Sequence, residues 1–353
     1  MALGGGNIKT TTFPGSYINF VSADNSNSIG VGERGVVALC HALPAKTDAA
    51  VVECTSEQFY GANSPLKAAY YEDSMWMFRE IFRHAQKVVV YNLANDDADL
   101  TNGLTALEAY DFNIIVADAL SPSDADPIIG RVNSWRSNLG KKCQVVVYNH
   151  SIESNLNNIA VINVASKPIL ASDDSQHTEA AMVYWVAGAM AGCEINKSCT
   201  NMLYDGELTV DVAYSQTDLQ GMLDAGKIVF HLVYGEVRLL EDINSLVTPS
   251  SDQNEDFKYN QTIRVIDQIA NDIAYLFNTK YLGVIPNDAS GRISLWNDIV
   301  THHNELETMR AIENFDPEKL VVSEGDDIRS VVVQDVIQIV GTMSQLFMTV
   351  VIA

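Results

Sequence analysis

Val88-Val89-Val90-Tyr91, Leu104 to Tyr110, Asn113-Ile114-Ile115-Val116 and Pro127 to about Leu139 follow one another as strand, helix, strand, helix. Both strands are unbroken apolar runs, the pattern of strands buried on two faces. Asp126 stands where an N-cap belongs, with Pro127 at the first helical position. Gln144 to Tyr148 and Ile159 to Val164 read as further strands, and Thr178 to Gly192 as a helix rich in small residues. Leu208 to Val212 reads as a strand, Thr217 to Ala225 as a helix and Ile228 to Val233 as a strand. Repeated β–α units predict a mainly parallel sheet with helices on both faces.

On either side of this stretch the pattern changes. Upstream, Gly35 to Leu39 and Ala49 to Glu53 are short strands, with Pro44 and Asp48 turning between them. Glu72 to His84 repeats Met75, Phe78, Ile81 and Phe82 at helical spacing. Downstream, Phe257 to Phe277 carries Ile263, Ile266, Ile269, Ile273, Leu276 and Phe277 on one side of a long helix. Ser290 to Glu313 reads as a second helix, closed by Asp316-Pro317. Leu320 to Val322 and Val331 to Ile339 are strand candidates. The fold class expected is therefore α/β and α+β multidomain. The divisions are an N-terminal arm (1–25), a small β-rich region (26–86), a central α/β sheet domain (87–235), a C-terminal α+β domain (236–340) and a C-terminal arm (341–353).

The two arms carry the argument about partners. Leu346-Phe347-Met348-Thr349-Val350-Val351-Ile352-Ala353 has no charged side chain and is β-prone. An open edge of that composition is an aggregation hazard, so it must be paired. It pairs either inside its own sheet or with a neighbouring subunit, by strand addition. At the other end, Gly4-Gly5-Gly6 and Phe13-Pro14-Gly15 precede a short strand candidate, Ser16 to Val21. That leader lacks the apolar stretch of a secretory signal. Tyr17, Ile18, Phe20, Leu346, Met348, Val350 and Ile352 are the expected subunit-linking residues.

Composition narrows the partners. Hydrophobic residues make up 47% and charged residues 19%, as in globular chains. The net charge of -23 argues against nucleic acid and against anionic membranes, since both are held by clustered Lys and Arg. Cys40, Cys54, Cys143, Cys193 and Cys199 form no CxxC pair and read as buried free thiols. The uncharged run Ala180 to Cys193 is 14 residues, too short to cross a bilayer. Its Gly188 and Gly192 read as a close helix contact rather than a membrane dimer.

No motif demands catalysis or a cofactor. Gly30 to Gly35 matches GxGxxG, but a polar loop precedes it and the β-prone Val36 to Leu39 follows, the reverse of a dinucleotide site. His302 and His303 are adjacent on a helix, complete no HExxH and read as a solvated face. Asp96-Asp97 and Asp173-Asp174 lack the further ligands of a calcium loop. No catalytic, cofactor or metal residues are expected.

Several stretches together resemble contractile-tail sheath proteins, of the short kind found in myovirus-type phages and phage-tail-like bacteriocins of Gram-positive bacteria. They are Met1 to Gly6 with Phe13 to Phe20, Leu107 to Asn113, and Val186 to Gly192. The most specific is Glu241-Asp242-Ile243-Asn244-Ser245-Leu246, followed by Phe257, Asn260, Arg264, Asp267, Asp272-Ile273 and Phe277. Leu346 to Val350 resembles the family's ending, although Ser344 and Gln345 stand where the family often has charged residues. The resemblance implies an outer α/β part, an inner C-terminal domain and arms that add strands to neighbouring subunits. It implies partners too: other copies of itself in hexameric rings and a helical polymer, an inner tail tube protein, a baseplate and a tail terminator. Its place would be a virion tail or tail-like particle assembled in the host bacterial cytoplasm. Two rivals from the residues alone are a cytoplasmic α/β enzyme without recognisable motif and a static shell protein.

Overall fold

The computed structural model describes residues 31–351 apart from 33, 117–121, 151–156 and 175. Its centre is a seven-stranded sheet built from β1 (Val36–His41), β2 (Val51–Thr55), β3 (Lys87–Asn92), β4 (Ile114–Val116), β5 (Gln144–Tyr148), β6 (Val161–Val164) and β7 (Lys227–Ile228). The order is β2-β3-β1-β4-β5-β6-β7. Every pair is parallel except β2 with β3. β1 lies between β3 and β4, so the strands on either side of the expected division at 86/87 share one sheet. β1 is a buried apolar run like β3, so a sheet covered on both faces can take it in, whereas β2, with Glu53 and Thr55 exposed, pairs antiparallel at the edge.

Strand alternation sorts side chains onto two cores. Val37, Leu39, Val88, Val90, Ile114, Val116 and Val146 face one, which is covered by α2 (Trp76–Ile81) and α5 (Met182–Gly192). Ala38, Cys40, Val89, Tyr91, Ile115, Val145 and Val147 face the other. There they meet residues of α3 (Leu100–Leu107) and α4 (Pro122–Ser134). α5 has no polar side because both of its sides are covered; Trp185, Tyr184 and Met182 are all buried. At Gly188 and Gly192 a Cβ would come within 2.3 Å of the Ile81 carbonyl oxygen and 2.0 Å of that of His84. The GxxxG pair therefore lets α5 touch the backbone at the end of α2, as a close helix contact should. Among the described residues no helix is long and apolar enough to cross a membrane.

Several elements depart from the sequence reading. α4 begins at Pro122, which suits the first turn as well as Pro127 does, and Pro127 lies inside it. Leu208 to Val212 forms only a bridge, Val210 to Pro168. The bridge is closed by two flanking bonds, Ile169 N–H to the Thr209 carbonyl and Asp211 N–H to the Lys167 carbonyl, and extends no further. Ile228 to Val233 is divided between β7 and β8 (Phe230–Val233), which turns into a hairpin with β9 (Glu236–Leu239).

The remaining α-helices are α1 (Ser56–Tyr60), α6 (Gln216–Asp224), α7 (Asn260–Leu276) and α8 (Ala289–Thr308), and the remaining strands are the short β10 (Ile312–Glu313), β11 (Val321–Glu324), β12 (Val331–Gln334) and β13 (Gln338–Ile339). α8 stops five residues before the expected Glu313, because Arg310 takes a left-handed turn (φ 61°). The chain then runs straight into β10. β10 pairs with β13 and β11 with β12, both antiparallel. Val331 to Ile339 is thus two strands rather than one, separated by Asp335, Val336 and Ile337.

Candidate assembly site

α7 has the opposite of an ordinary surface helix: its polar residues Asn260, Gln261, Arg264, Asp267, Gln268 and Asp272 are buried. Such groups are costly unless each has a partner, and each does. Asn260 donates to Asp242 Oδ1 (3.0 Å) and accepts from Gln144 Nε2 (2.9 Å). Arg264 donates to Asp242 Oδ2 (3.2 Å), which also accepts from the Cys199 N–H (2.9 Å). Asp267 takes both terminal nitrogens of Arg136, at 2.6 and 2.7 Å. Burial works against the charge of Arg264, but Cys193 and Asp242 outweigh it and raise its pKa. Arg34 has the reverse balance: burial, with the like charge of Arg264 behind it, lowers it to about 9. These pairs join α7 to the sheet body. They are also the residues that made the sequence resemblance specific.

α7 holds the root of the C-terminal arm as well. Gln261 donates to the Val340 carbonyl (2.9 Å) and accepts from the Thr342 N–H (3.0 Å). The Val340 N–H meets the Ala311 carbonyl at 3.1 Å. Beyond this clasp, residues 343–351 belong to no helix or strand and all are exposed. Leu346 is 86%, Phe347 88% and Met348 76% exposed. The alternative that the arm pairs inside its own sheet is therefore not what the structure holds. Contiguous exposed apolar surface of this kind marks an interaction site. Near it in sequence, β11 and β12 form a ladder without a third strand among the described residues, with Val321, Val332 and Val333 exposed. Open edges of that composition accept strands.

Of the expected linking residues, Leu346, Met348 and Val350 lie on the exposed arm. Tyr17, Ile18, Phe20 and Ile352 lie outside the described residues. His302 and His303, expected on a solvated face, are fully buried. α7 and the link between β12 and β13 cover them and supply Asp272 and Asp335 as partners. The GxGxxG run opens β1 rather than a helix, and its Gly32 is bonded to Asp272. No group of three or more His, Cys, Asp or Glu residues is placed to hold a metal among the described residues.

Two family models match the sequence: "Phage tail sheath protein central domain" over residues 94–245 and "Phage tail sheath C-terminal domain" over residues 252–353. The chain belongs to the phage tail sheath family. It is similar to the phage-like element PBSX protein XkdK of Bacillus subtilis (strain 168), 28% identical over 244 residues, 65% of this chain and 51% of that protein. The chain spans about half the length of the curated relatives it matches. Its fold matches the sheath tail protein of Desulfitobacterium hafniense with a TM-score of 0.76 at 20% identity, covering 90% of this chain and 96% of that one. The helical sheath of the anti-feeding prophage in its contracted state matches with a TM-score of 0.67 at 13% identity, covering 97% and 99%. The sheath family is structural rather than enzymatic, and the enzyme rival is set aside on that ground.

Proposed function

We propose that this chain is the structural subunit of a contractile tail sheath. Copies polymerise as stacked hexameric rings around an inner tail tube, between a baseplate and a tail terminator, in a phage tail or tail-like particle. The observation that carries the reading is the apolar arm, exposed from Met343 to Val351, on a chain whose β11–β12 ladder has open edges among the described residues. A two-stranded ladder is marginal alone and gains from further strands. Donation of arm strands between copies removes both liabilities at once.

Contraction then needs no nucleotide. The sheet body and the α7–α8 lobe move as one piece through their buried ion pairs, while the arms keep neighbours linked. The driving force is the difference in interface free energy between two packings of the same subunits. About 1–3 kcal/mol per subunit, a typical coupling energy, sums over many subunits into a large total. In this arrangement the sheet body faces outward and the lobe of α7 and α8 faces the tube.

The test is electron microscopy of the chain co-expressed with its tube and baseplate proteins. Striated cylinders are expected in two forms, one shorter and wider per subunit than the other. Cylinders of one fixed length per subunit would support a static shell instead and contradict contraction.

A further inference from the structure

Gly32 and the root of the C-terminal arm meet at one pair of histidines. On the N-terminal side, the Gly32 N–H lies 3.3 Å from both carboxylate oxygens of Asp272. Gln268 donates to the Gly32 carbonyl (3.2 Å) and to Asp272 Oδ1 (2.8 Å). A Cβ at Gly32 would stand 2.6 Å from Asp272 Oδ1, so the backbone seats directly on that carboxylate. Asp272 Oδ2 also faces His302 Nε2 at 2.9 Å. On the C-terminal side, His303 Nε2 faces Asp335 Oδ2 at 2.7 Å. Asp335 lies in the link between β12 and β13, a few residues before the Gln261 clasp.

His303 Nδ1 faces the Ile299 carbonyl (2.9 Å) and His303 Nε2 the Asp335 carboxylate. His302 Nε2 faces Asp272, and its Nδ1 lies 3.5 Å from His303 Nδ1. The two rings thus stand side by side between two carboxylates, Asp272 from α7 and Asp335 from the β12–β13 link. The Phe315 ring closes the remaining side of His303 at 4.9 Å.

We propose that the His302–His303 pair couples Gly32 to the root of the C-terminal arm, so that withdrawing Asp335 loosens the hold on Gly32. Asp335 fixes the His303 ring, which packs against His302, and His302 in turn holds the Asp272 carboxylate that receives the Gly32 N–H. Without Asp335 the His303 ring can turn, His302 shifts with it, and Asp272 is no longer held in register with Gly32. The two contacts joined in this way span 240 positions, Gly32 to Asp272, and 32 positions, His303 to Asp335. The coupling concerns the single chain and holds whether or not the chain assembles as a sheath.

Amide hydrogen exchange of the full unassembled chain tests it. Asp335→Asn removes the carboxylate charge at a surface position. It is expected to speed exchange of the peptide containing Gly32 by about 5-fold or more, the low end of ordinary couplings between sites. Gln261→Ala opens the C-terminal clasp without touching the histidines. It is expected to speed exchange at Thr342 and leave the Gly32 peptide unchanged. Protection of β5 serves as the folding control, and Asp335→Ser replaces Asp335→Asn if that control fails. The proposal is overturned if the Gly32 peptide does not respond to loss of Asp335, or responds equally to Gln261→Ala.

Discussion

Val145, Val146 and Val147 of β5 are at most 1% exposed, whereas Val350 and Val351 of the arm are 69% and 86% exposed. Both are β-prone apolar runs, and both satisfy the same local preferences for a strand. The sheet body covers its run with neighbours and helices from the same chain. The arm leaves its run to solvent, with a clasp of hydrogen bonds from Gln261 at its root. The difference teaches that the body is built to be complete alone and the arm is not. Residue type decides that a strand can form; whether the chain itself supplies the partner decides what the strand is for.

Substitutions can break or sharpen that contrast. The largest effect is expected where the body meets α7. Asp242→Ala leaves Arg264 buried without its carboxylate and should cost about 3–5 kcal/mol, read from urea unfolding. Replacing Asp242 and Arg264 together by apolar residues of similar volume should recover much of that loss. A smaller effect is expected inside the body. Gly188→Ala forces a methyl group against the Ile81 carbonyl and should cost about 1–3 kcal/mol by the same assay. Phe347→Ser on the arm should change the stability of the unassembled chain by less than about 0.5 kcal/mol. A large loss there would mean that the arm packs on its own chain, and the contrast would fail.

The thiols grade the same boundary more finely. The Cys199 thiol donates to Cys193, and Arg264 adds to it, so the Cys193 thiol is held below its usual range. Burial pushes Cys143 up to about 11. The thiolate is the reactive form. Alkylation near neutral pH, followed by mass spectrometry, should modify Cys193 well before Cys143. Its rate should fall as the pH drops and Cys193 is protonated. Equal rates would show that the body opens as readily as its margin.

The sheet was legible because burial on both faces leaves a plain signature. Gln144 to Tyr148 is β5 to the residue, and alternation of strand and helix predicted a mainly parallel sheet, though not its strand order. Leu208 to Val212 has the same local signature but finds a single bridging residue, Pro168, opposite Val210. That is decided by position in space and not by the run itself. The lack of charge over Leu346 to Ala353 was plain in the sequence, and the proposal that this run links subunits starts from it. The clasp at Gln261 and the pairing of Arg136 with Asp267 were not plain, since their members are 81 and 131 positions apart. His302 and His303 show the limit most clearly. Adjacent side chains on a helix do diverge, but one turns to α7 and the other to the β12–β13 link, so divergence buried both instead of exposing one. Nothing in the local sequence marks the distant aspartates that receive them.

The most direct test of the account is to delete Leu346 to Ala353 and compare the truncated and full chains by electron microscopy under conditions where the full chain forms cylinders. The account predicts that the truncated chain keeps the circular dichroism and unfolding midpoint of the sheet body but yields only dispersed particles. Cylinders of the same width and striation from the truncated chain would contradict it.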